Sequence, residues 1–563
     1  MTQASLVEVG GLTVDFPVGR PGEYVRAVDG VSFTLEPGCA LGIVGESGSG
    51  KSTVAAALLG LHHGTGARLG GTVRVGGTDV GAASPAELRA LRGAVAAMVF
   101  QDPLSSLDPY YAIGDQIAEV YRVHAAVSRR AARARAVEVL DRVGIPDAAR
   151  RSRARPHEFS GGMRQRALIA MALACEPRLL IADEPTTALD VTVQAQILDL
   201  LHGLREERGL GLLLVTHDVG VAAESVDAVL VMRAGVVVER GSVESVLSAP
   251  ADPYTAALLA AVPRLDAVRV PRPGAVRALP GPAPQTPAGL HLLDAVPVVE
   301  AFSLRKEFGR GKRRVEAVGG VSVVVRAGET LGIVGESGSG KSTLGRMLVG
   351  LLEPSSGQIR RDGVESAGVV PGVQMVFQDP VSSLYPRRSI GESIADPLRA
   401  AGERDQGAIR ARVGELLLRV GLEEAHYDRY PHEFSGGQRQ RVGIARALAP
   451  RPRLIVCDEP VSALDVTTQA QVTALLAELQ RELGIALVFI AHDLAVVRQV
   501  SDRVAVMRGG VIVEEGPVDE VYDRPAHAYT RELLAAVPSP DPESAAARRL
   551  GRRRSGGVLA GAS

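Results

Sequence analysis

The sequence predicts an α/β protein in which one domain occurs twice in tandem, and three observations support this. The segment LGIVGESGSGKST occurs at residues 41–53 and again at residues 331–343. Apolar runs such as LLIAD and LLLVT alternate with helical stretches, which is typical of an α/β core. Further segments return in the same order at a constant offset, from Ser160 and Ser435 to Tyr254 and Tyr529.

Each repeated glycine-rich segment has the form G-x-x-x-x-G-K-[ST] and follows an apolar run that reads as a buried strand. Glycines let successive backbone N–H groups surround phosphates, and the following helix directs its positive end at them. The chain has only four lysines, and two of them occupy these segments. The residues predicted to bind a nucleotide are Gly45, Glu46, Ser47, Gly48, Ser49, Gly50, Lys51, Ser52 and Thr53, with Gly335, Glu336, Ser337, Gly338, Ser339, Gly340, Lys341, Ser342 and Thr343.

Two neighbouring carboxylates end an apolar run in each half, in RLLIADEP and RLIVCDEP. We expect the aspartate to hold Mg²⁺ together with the serine hydroxyl that follows the phosphate-loop lysine. Side chains alternate along a strand, so the adjacent glutamate is expected to point elsewhere and to polarise the attacking water. The carboxylate pairs are Asp183–Glu184 and Asp458–Glu459, and the serines are Ser52 and Ser342.

The full set of motifs resembles a known family. A phosphate loop, a VFQDP segment, an FSGG segment, DEP, ALD, and a histidine in THD or AHD follow one another in this order twice. Over roughly residues 5–263 and 298–540, the chain resembles two ATP-binding-cassette (ABC) ATPases fused in tandem. The resemblance implies that each half is a P-loop NTPase domain with a RecA-like α/β core, an antiparallel β subdomain and a helical insert. Between VFQDP and FSGG, arginine-rich stretches are interpreted as the solvated face of that insert.

In this family two cassettes pack head to tail and sandwich ATP between one phosphate loop and the other FSGG segment. Lys51 would then face Ser435–Gly437, and Lys341 would face Ser160–Gly162. The resemblance also implies that a glutamine senses the γ-phosphate and touches Mg²⁺, that an aspartate couples the two sites, and that a histidine orients phosphate and water. These residues are Gln101, Gln378, Asp190, Asp465, His217 and His492, and the FSGG residues are Ser160, Gly161, Gly162, Ser435, Gly436, Gly437 and Gln438.

An aromatic residue upstream of each phosphate loop is the expected platform for adenine. Phe308 fits in LRKEFGRGKRR and Phe16 fits in LTVDFPVGR, while Tyr24 is a competing candidate in the first half. An aromatic at a strand end is also a common core residue, so both interpretations stay open at this point.

Finer features resemble the ATPases of dipeptide and oligopeptide importers. They are QDPLSSLDP at 101–109, QDPVSSLYP at 378–386, and the endings APADPYTAALLAAVP and RPAHAYTRELLAAVP. The resemblance implies an ATPase coupled to transmembrane transport that works with two membrane permease subunits and an extracytoplasmic substrate-binding protein. It also implies a peripheral position at the cytoplasmic face of the membrane. Some relatives carry an iron–sulfur cluster after the P-Y-T segment, but no cysteine occurs there, so no cluster is expected.

Bulk properties exclude other classes. The net charge is −1 and provides no basic field for nucleic acid. No apolar run approaches the ~18–20 residues that cross a bilayer, and the N-terminus lacks the pattern of a secretory signal. We expect a soluble cytoplasmic chain with domains at residues 1–263 and 298–540, a Pro/Ala/Gly-rich linker at 264–297 and a disordered tail at 541–563.

Two other functions stay open at this point. Soluble tandem cassettes that act on ribosomes or nucleic acid also lack membrane spans. Two degenerate cassettes could instead form an ATP-gated scaffold, which the presence of both glutamates disfavours.

The sequence does not identify the cargo: peptides are the default, with nickel chelates, glutathione and peptide-like antibiotics as alternatives. We also expect Leu107 and Tyr110 to be partly exposed on the insert, where they would contact a permease.

Overall fold

The two halves of the chain fold into separate α/β units with the same topology. The computed structural model describes residues 5–19, 22–187, 189–265, 297–309, 314–379, 383–462, 464–545 and 548. Residues 266–296 of the predicted linker, and most of the predicted tail, lie outside these ranges. The first strand of the second half begins at Pro297, one residue inside the predicted linker.

The strands of the first half are β1 (Val7–Pro17), β2 (Tyr24–Leu35), β3 (Ala40–Val44), β4 (Arg68–Val75), β5 (Thr78–Asp79), β6 (Ala96–Val99), β7 (Leu179–Asp183), β8 (Gly211–Thr216), β9 (Ala228–Arg233) and β10 (Val236–Ser242). Those of the second half are β11 (Pro297–Phe308), β12 (Val315–Arg326), β13 (Thr330–Val334), β14 (Ser356–Arg361), β15 (Val364–Glu365), β16 (Val373–Val376), β17 (Leu454–Asp458), β18 (Ala486–Ile490), β19 (Arg503–Arg508) and β20 (Val511–Pro517).

Each half contains one antiparallel sheet and one mixed sheet. The antiparallel sheets have the orders β2-β1-β4-β5 and β12-β11-β14-β15. The mixed sheets have the orders β10-β9-β3-β8-β7-β6 and β20-β19-β13-β18-β17-β16, in which all neighbours are parallel except the last hairpin, β9–β10 or β19–β20. The predicted α/β core with an antiparallel β subdomain is confirmed.

The helices of the first half are α1 (Lys51–Leu58), α2 (Pro85–Ala94), α3 (Pro103–Ser106), α4 (Ile113–His124), α5 (Arg129–Arg142), α6 (Ala148–Arg151), α7 (Gly161–Leu173), α8 (Val191–Arg208), α9 (Val219–Ser225), α10 (Val243–Ser248) and α11 (Pro253–Ala261). Those of the second half are α12 (Lys341–Val349), α13 (Ile390–Ala400), α14 (Gln406–Arg419), α15 (Gly436–Leu448), α16 (Val466–Leu483), α17 (Leu494–Val500), α18 (Val518–Asp523) and α19 (Ala528–Ala536). Among the described residues, no helix combines the length and apolar character needed to cross a bilayer.

The central strands of each mixed sheet are apolar because both faces of the sheet are covered. Every residue of β3, β7 and β8 is buried. Parallel neighbours place their carboxyl ends at one edge of the sheet, so Val44, Asp183 and Thr216 end together there. The phosphate loop, the carboxylate pair and the histidine segment therefore converge at this edge.

The helical insert of the first half comprises α3 to α6, as the sequence predicts, but the expected exposure of Leu107 is wrong. Leu107 is only 2% exposed and belongs to the same buried cluster as Ile113 and Ile117. Tyr110 is 80% exposed, as expected. The side chain of Leu107 packs inside the insert, and that of Tyr110 lies in solvent. Tertiary packing determines which of the two is buried, and local sequence does not reveal it.

The stretch between the phosphate loop and the VFQDP segment is shorter in the second half, and in the first half it contains a helix. Helix α2 begins at an N-cap formed by Ser84, whose side chain and that of Glu87 make a reciprocal capping box. Leu88 and Leu91 on α2 are buried. In the second half, described residues 366–372 between β15 and β16 contain no helix. The Ser-x-x-Glu pattern at 84–87 was the available signal.

The last helix of each half packs against the other half. Helix α11 contacts α16, and α19 contacts α8. The first residues of the predicted disordered tail are ordered instead: Ala545 is fully buried in the core cluster of the first half, and Arg548 donates a hydrogen bond to the carbonyl of Val537 at 2.6 Å. An apolar contact with the opposite half thus extends the fold beyond residue 540.

Candidate nucleotide-binding and catalytic sites

The phosphate loops join β3 to α1 and β13 to α12, and their glycines are required by the backbone. Gly50 and Gly340 have φ values of 96° and 101°. A Cβ atom at these positions would come within 2.5 Å of the Ala27 carbonyl oxygen and 2.3 Å of the Ala317 carbonyl oxygen. Only glycine fits at these points, and it allows the loop to close into an anion-binding nest at the start of each helix.

The two phosphate-loop lysines are buried inside these loops. The Lys51 ammonium donates to the carbonyl oxygens of Gly45 at 2.8 Å and Glu46 at 2.7 Å. Lys341 makes the same two bonds in its own loop, both at 2.8 Å. Burial lowers the pKa of both lysines, while the nearby carboxylates oppose that shift. Each loop therefore places a cation on its concave side, where phosphate oxygens would lie.

The predicted metal-binding pairs come together in both halves. Ser52 donates its hydroxyl proton to Asp183 at 3.0 Å, and Ser342 donates to Asp458 at 2.7 Å. Burial raises the pKa of Asp183 to about 6 and raises the pKa of Asp458 as well. A hydroxyl and a buried carboxylate at the end of a strand provide two oxygen ligands, which suit a hard divalent cation.

The glutamates after these aspartates are placed by a backbone turn and not by strand alternation, which corrects the reason given from the sequence. The strands end at the aspartates, and Glu184 and Glu459 both have φ values of 47°. Such left-handed conformations are costly for residues with a side chain and persist mainly at functional sites. The Glu184 amide still donates to the Val215 carbonyl at 2.8 Å, which anchors the turn.

In the first half, the Glu184 carboxylate is the centre of a polar cluster. Its Oε2 atom accepts hydrogen bonds from Gln101 at 2.7 Å and Thr187 at 2.9 Å, and it lies 3.2 Å from Nδ1 of His217. Burial acts to raise the pKa of Glu184, but His217 outweighs it, so the net shift is downward. Burial likewise opposes a charge on His217, but Glu184 raises its pKa overall. The glutamate is held ionised and oriented.

The second half repeats this cluster with fewer bonds to the carboxylate. Gln378 donates to Oε2 of Glu459 at 2.7 Å, but Nδ1 of His492 is 3.7 Å away. Ser462 replaces the threonine and donates to the backbone carbonyl of Glu459 at 3.1 Å, not to its carboxylate. The two glutamate-centred clusters are thus similar in composition and different in detail.

Residues of one half reach the phosphate loop of the other. The Ser337 amide donates to Oδ2 of Asp190 at 3.4 Å across the interface. Leu189 and Asp190 line one cavity together with residues of the second half, namely Lys341, Ser342, Gln378, Glu459 and His492. In the reciprocal position, Asp465 lies close enough to Lys51 to favour its charged form. An aspartate of the opposite half is therefore bonded to the second phosphate loop and lies near the lysine of the first.

The FSGG serines begin helices and face solvent. Ser160 caps α7 by accepting from the Met163 amide, and Ser435 caps α15 by accepting from the Gln438 amide, both at 3.3 Å. Leu189, which lines the second phosphate-loop cavity, packs beside Gly161. The free N–H groups and positive end of each helix are suited to an anion. That these segments bind the γ-phosphate opposite stays a prediction.

Comparison with known proteins identifies the family. Residues 28–187 and 318–462 both match the family model described as ABC transporter. The chain belongs to the ABC transporter family. Residues 238–286 and 513–556 of this ABC protein match a second model, described as the C-terminal region of oligopeptide/dipeptide transporters. The predicted tandem of two cassettes with importer-type C-terminal regions is confirmed, and the chain is an ABC-type ATPase.

Several curated relatives of this ABC protein match over nearly the whole chain. The glutathione import ATP-binding protein GsiA of Salmonella paratyphi A is 47% identical over 575 residues, covering 97% of this chain and 91% of the relative. GsiA of Escherichia coli strain K12 is 48% identical over 550 residues, covering 92% and 88%. A solved post-hydrolysis dimer of an ATP-binding cassette bound to ADP and Pi is 31% identical and covers 39% of this chain and 98% of that chain, with a TM-score of 0.36.

The aromatic candidates for adenine binding differ between the two cassettes. Phe16 is half-buried and makes an edge contact with His62, with ring centroids 5.3 Å apart. Phe308 is 45% exposed, and the Lys306 ammonium lies 5.6 Å from its ring centroid. Tyr24 is covered by the Arg68 guanidinium at 3.9 Å. Phe308 is thus more exposed than Phe16, and the choice between Phe16 and Tyr24 stays open.

Sequence reasoning about these cassettes missed three groups. Thr187 donates a hydrogen bond to the Glu184 carboxylate, and a threonine in a DEPTT run carries no signal of that contact. The left-handed backbone conformation at each glutamate could not be predicted from the residue type, because glutamate occurs in strands and helices alike. Tyr254 and Tyr529 contact the phosphate loops from distant helices. Only their repetition at matching positions in both halves singled them out.

Proposed function

We propose that this chain binds and hydrolyses MgATP at two composite sites and thereby drives import of small peptides through a membrane permease. The observation that carries the proposal is the approach of each coupling aspartate to the opposite phosphate loop, with complete catalytic clusters in both halves. Asp190 is bonded to Ser337, and Asp465 lies near Lys51. Lys51 is then paired with Ser435–Gly437, and Lys341 with Ser160–Gly162. We also propose a first domain at residues 1–263 and a second domain that begins at Pro297 and extends beyond residue 540.

The proposed roles follow from the geometry of each cluster. Mg²⁺ would be held by Ser52 with Asp183 and by Ser342 with Asp458, with the amide oxygens of Gln101 and Gln378 as further ligands, and it would neutralise phosphate charge. The ionised Glu184 and Glu459 accept a proton from the attacking water. His217 and His492, each beside its glutamate, hold the water and γ-phosphate in line. Gln101 and Gln378 couple the state of the bound nucleotide to the helical insert. Each glutamine donates a hydrogen bond to the glutamate of its half and begins the segment that leads to the insert.

The cargo is proposed from the importer-type C-terminal regions and from the names of the relatives. Glutathione is itself a tripeptide, so a glutathione importer and an oligopeptide importer handle the same class of substrate. We propose two permease subunits and an extracytoplasmic binding protein as partners, with the chain bound peripherally at the cytoplasmic face of the membrane. Action on ribosomes or nucleic acid is disfavoured by the same C-terminal regions and by the net charge of −1.

Purification of the tagged full-length chain from detergent-solubilised host membranes tests the proposal. We expect two membrane permease subunits to co-purify, and ribosomal subunits to be absent. In proteoliposomes containing that complex, the binding protein loaded with glutathione or a short peptide should stimulate ATP hydrolysis, whereas the unloaded protein should not. Co-purification with ribosomes, or hydrolysis indifferent to every peptide-loaded binding protein tried, contradicts the proposal.

Replacing Tyr110 by alanine should uncouple hydrolysis from transport. Tyr110 is 80% exposed at the tip of the insert, and Tyr111 beside it is 62% exposed. We expect the basal ATPase rate of Tyr110→Ala to match that of the wild type, and its stimulation by permease and loaded binding protein to be lost. Val25→Ala, at an exposed position of the antiparallel sheet, is the control and should keep full stimulation. A collapse of basal hydrolysis in Tyr110→Ala, with stimulation retained, would show that the insert serves the catalytic core instead.

A further inference from the structure

The C-terminal helix of each half carries a tyrosine that contacts the phosphate loop of its own half. The Glu46 amide donates to the hydroxyl oxygen of Tyr254 at 3.3 Å, and the Glu336 amide donates to that of Tyr529 at 3.0 Å. Both tyrosines belong to the segments at 249–263 and 524–538. The catalytic scheme above gives these contacts no role.

A glutamate on the last strand of each mixed sheet fixes the start of the tyrosine's helix. In the second half, the carboxylate of Glu514 accepts from the amides of Ala526 at 2.7 Å and His527 at 3.1 Å. Nδ1 of His527 accepts from the Tyr529 amide at 3.1 Å. These three local bonds leave the tyrosine little freedom, so its hydroxyl is held at a defined point.

The first half is built in the same way. Glu239 accepts from the amides of Ala251 at 2.8 Å and Asp252 at 3.2 Å, and Asp252 caps the helix by accepting from the Tyr254 amide at 2.8 Å. The histidine of the second half is thus replaced by an aspartate with the same capping function. Two different side chains produce one geometry, which indicates that the tyrosine's position is what both halves share.

The ring of each tyrosine is covered by an arginine from the end of the neighbouring strand. Arg508 lies 4.7 Å from the Tyr529 ring centroid, and Arg233 lies 4.9 Å from that of Tyr254. Tyr529 is 2% exposed, and burial raises its pKa to about 12. The hydroxyl is therefore neutral at physiological pH and acts as a hydrogen-bonding group of fixed position.

The next amide of the phosphate loop is bonded by the opposite half. Tyr529 holds the Glu336 amide, and Asp190 accepts from the Ser337 amide at 3.4 Å. Successive N–H groups are thus bound by the loop's own C-terminal helix and by the partner cassette. Asp190 is also close enough to Tyr529 to contribute to its raised pKa. The two acceptors meet at one point of the loop.

The same two acceptors are joined by a second route through the helices. Tyr529 lies on α19, which packs against α8, and Asp190 is the N-cap residue of α8. In the reciprocal position Tyr254 lies on α11, which packs against α16, and Asp465 caps α16. Tyr529 therefore closes a ring of contacts: phosphate loop, C-terminal helix, helix of the opposite half, Asp190, and phosphate loop again. For Tyr254 the corresponding last link is the proximity of Asp465 to Lys51.

We propose that Tyr254 and Tyr529 are positioning residues that set each phosphate loop in register with the aspartate of the opposite half. They do not touch the reacting atoms. They fix the first turn of the loop, so that docking of the aspartate and binding of ATP occur in one geometry. The inference rests on ATP hydrolysis as proposed above and is independent of the transported substrate, since it concerns basal hydrolysis by the purified chain.

A double-mutant cycle on the full-length chain tests this inference. Tyr529→Phe removes only the hydroxyl and keeps the ring under Arg508, and Asp190→Asn keeps the helix cap. Each single substitution is expected to lower kcat/KM for ATP by about 3- to 10-fold, the usual effect of one lost hydrogen bond. The kcat/KM of the double variant should be at most about twofold below that of the less active single variant, because both groups act on one loop. Tyr254→Phe with Asp190→Asn is the matched control, and there the two effects should multiply.

Tyr522→Phe distinguishes positioning from packing. Its hydroxyl donates to the Leu494 carbonyl at 2.8 Å in the same half, away from the phosphate loop. We expect it to lower the melting temperature about as much as Tyr529→Phe and to leave kcat/KM unchanged and uncoupled from Asp190. Multiplicative effects of Tyr529→Phe and Asp190→Asn, or equal effects of Tyr522→Phe and Tyr529→Phe on kcat/KM, would overturn the inference. Absence of hydrolysis in the wild-type chain would instead overturn the proposed function.

Discussion

Replacing Glu184 or Glu459 by glutamine is expected to lower ATP turnover by about 10²- to 10⁴-fold, the range for a lost general base. Glutamine has the same shape and can keep the contacts to the neighbouring amide and histidine, but it cannot accept a proton from water. In the first half that carboxylate is held by Gln101, Thr187 and His217. The measurement is steady-state phosphate release by the purified chain.

The double variant Glu184→Gln/Glu459→Gln should still bind two nucleotides and stay closed around them. Nucleotide retained after gel filtration, together with a compact form in solution scattering, would report this state. The two single variants control for each other, because they differ only in which cluster is altered. If one single variant keeps full turnover, its site is regulatory and the two sites do not contribute alike.

Loss of the phosphate-loop lysine should abolish ATP binding at one site only, and the identity of that site can be tested by pairing substitutions. In the proposed arrangement Lys51 and Ser435 belong to one composite site. Lys51→Ala/Ser435→Ala should therefore remove one bound nucleotide per chain. Lys51→Ala/Ser160→Ala should remove both. Binding stoichiometry measured by calorimetry gives the answer directly.

The two serine substitutions are well matched. Ser160 and Ser435 cap their helices with the same 3.3 Å hydrogen bond, so each alanine variant loses the same local interaction. Any difference between the two combinations then reports which phosphate loop the serine faces. The reverse stoichiometry, with two nucleotides lost in the Ser435 combination and one in the Ser160 combination, would assign each site to a single half.

Most of the fold and the centre of each site could be predicted, because they depend on short motifs whose residue types are required by a particular backbone conformation. A glycine at residue 50 is required by its φ of 96°, and Asp183 follows a wholly buried strand. Leu107 was not predictable, since its burial depends on helices that follow it in the chain. The ordering of Ala545 depends on a surface of the other half, and so does the docking of Asp190. These contacts join residues that are far apart in the chain, so the local sequence does not predict them.

The packing of each C-terminal helix on the opposite half also joins the two cassettes to each other. Helix α19 packs on the first half, α11 packs on the second, and Ala545 is buried against the first. With both halves in one polypeptide, closure around ATP is a unimolecular step at a high effective concentration. Dilution therefore does not separate the cassettes, and the loss of translational freedom that accompanies bimolecular association is absent from each ATP cycle. In the proposed ATP cycle, the free energy of ATP binding is therefore not spent on bringing two separate chains together.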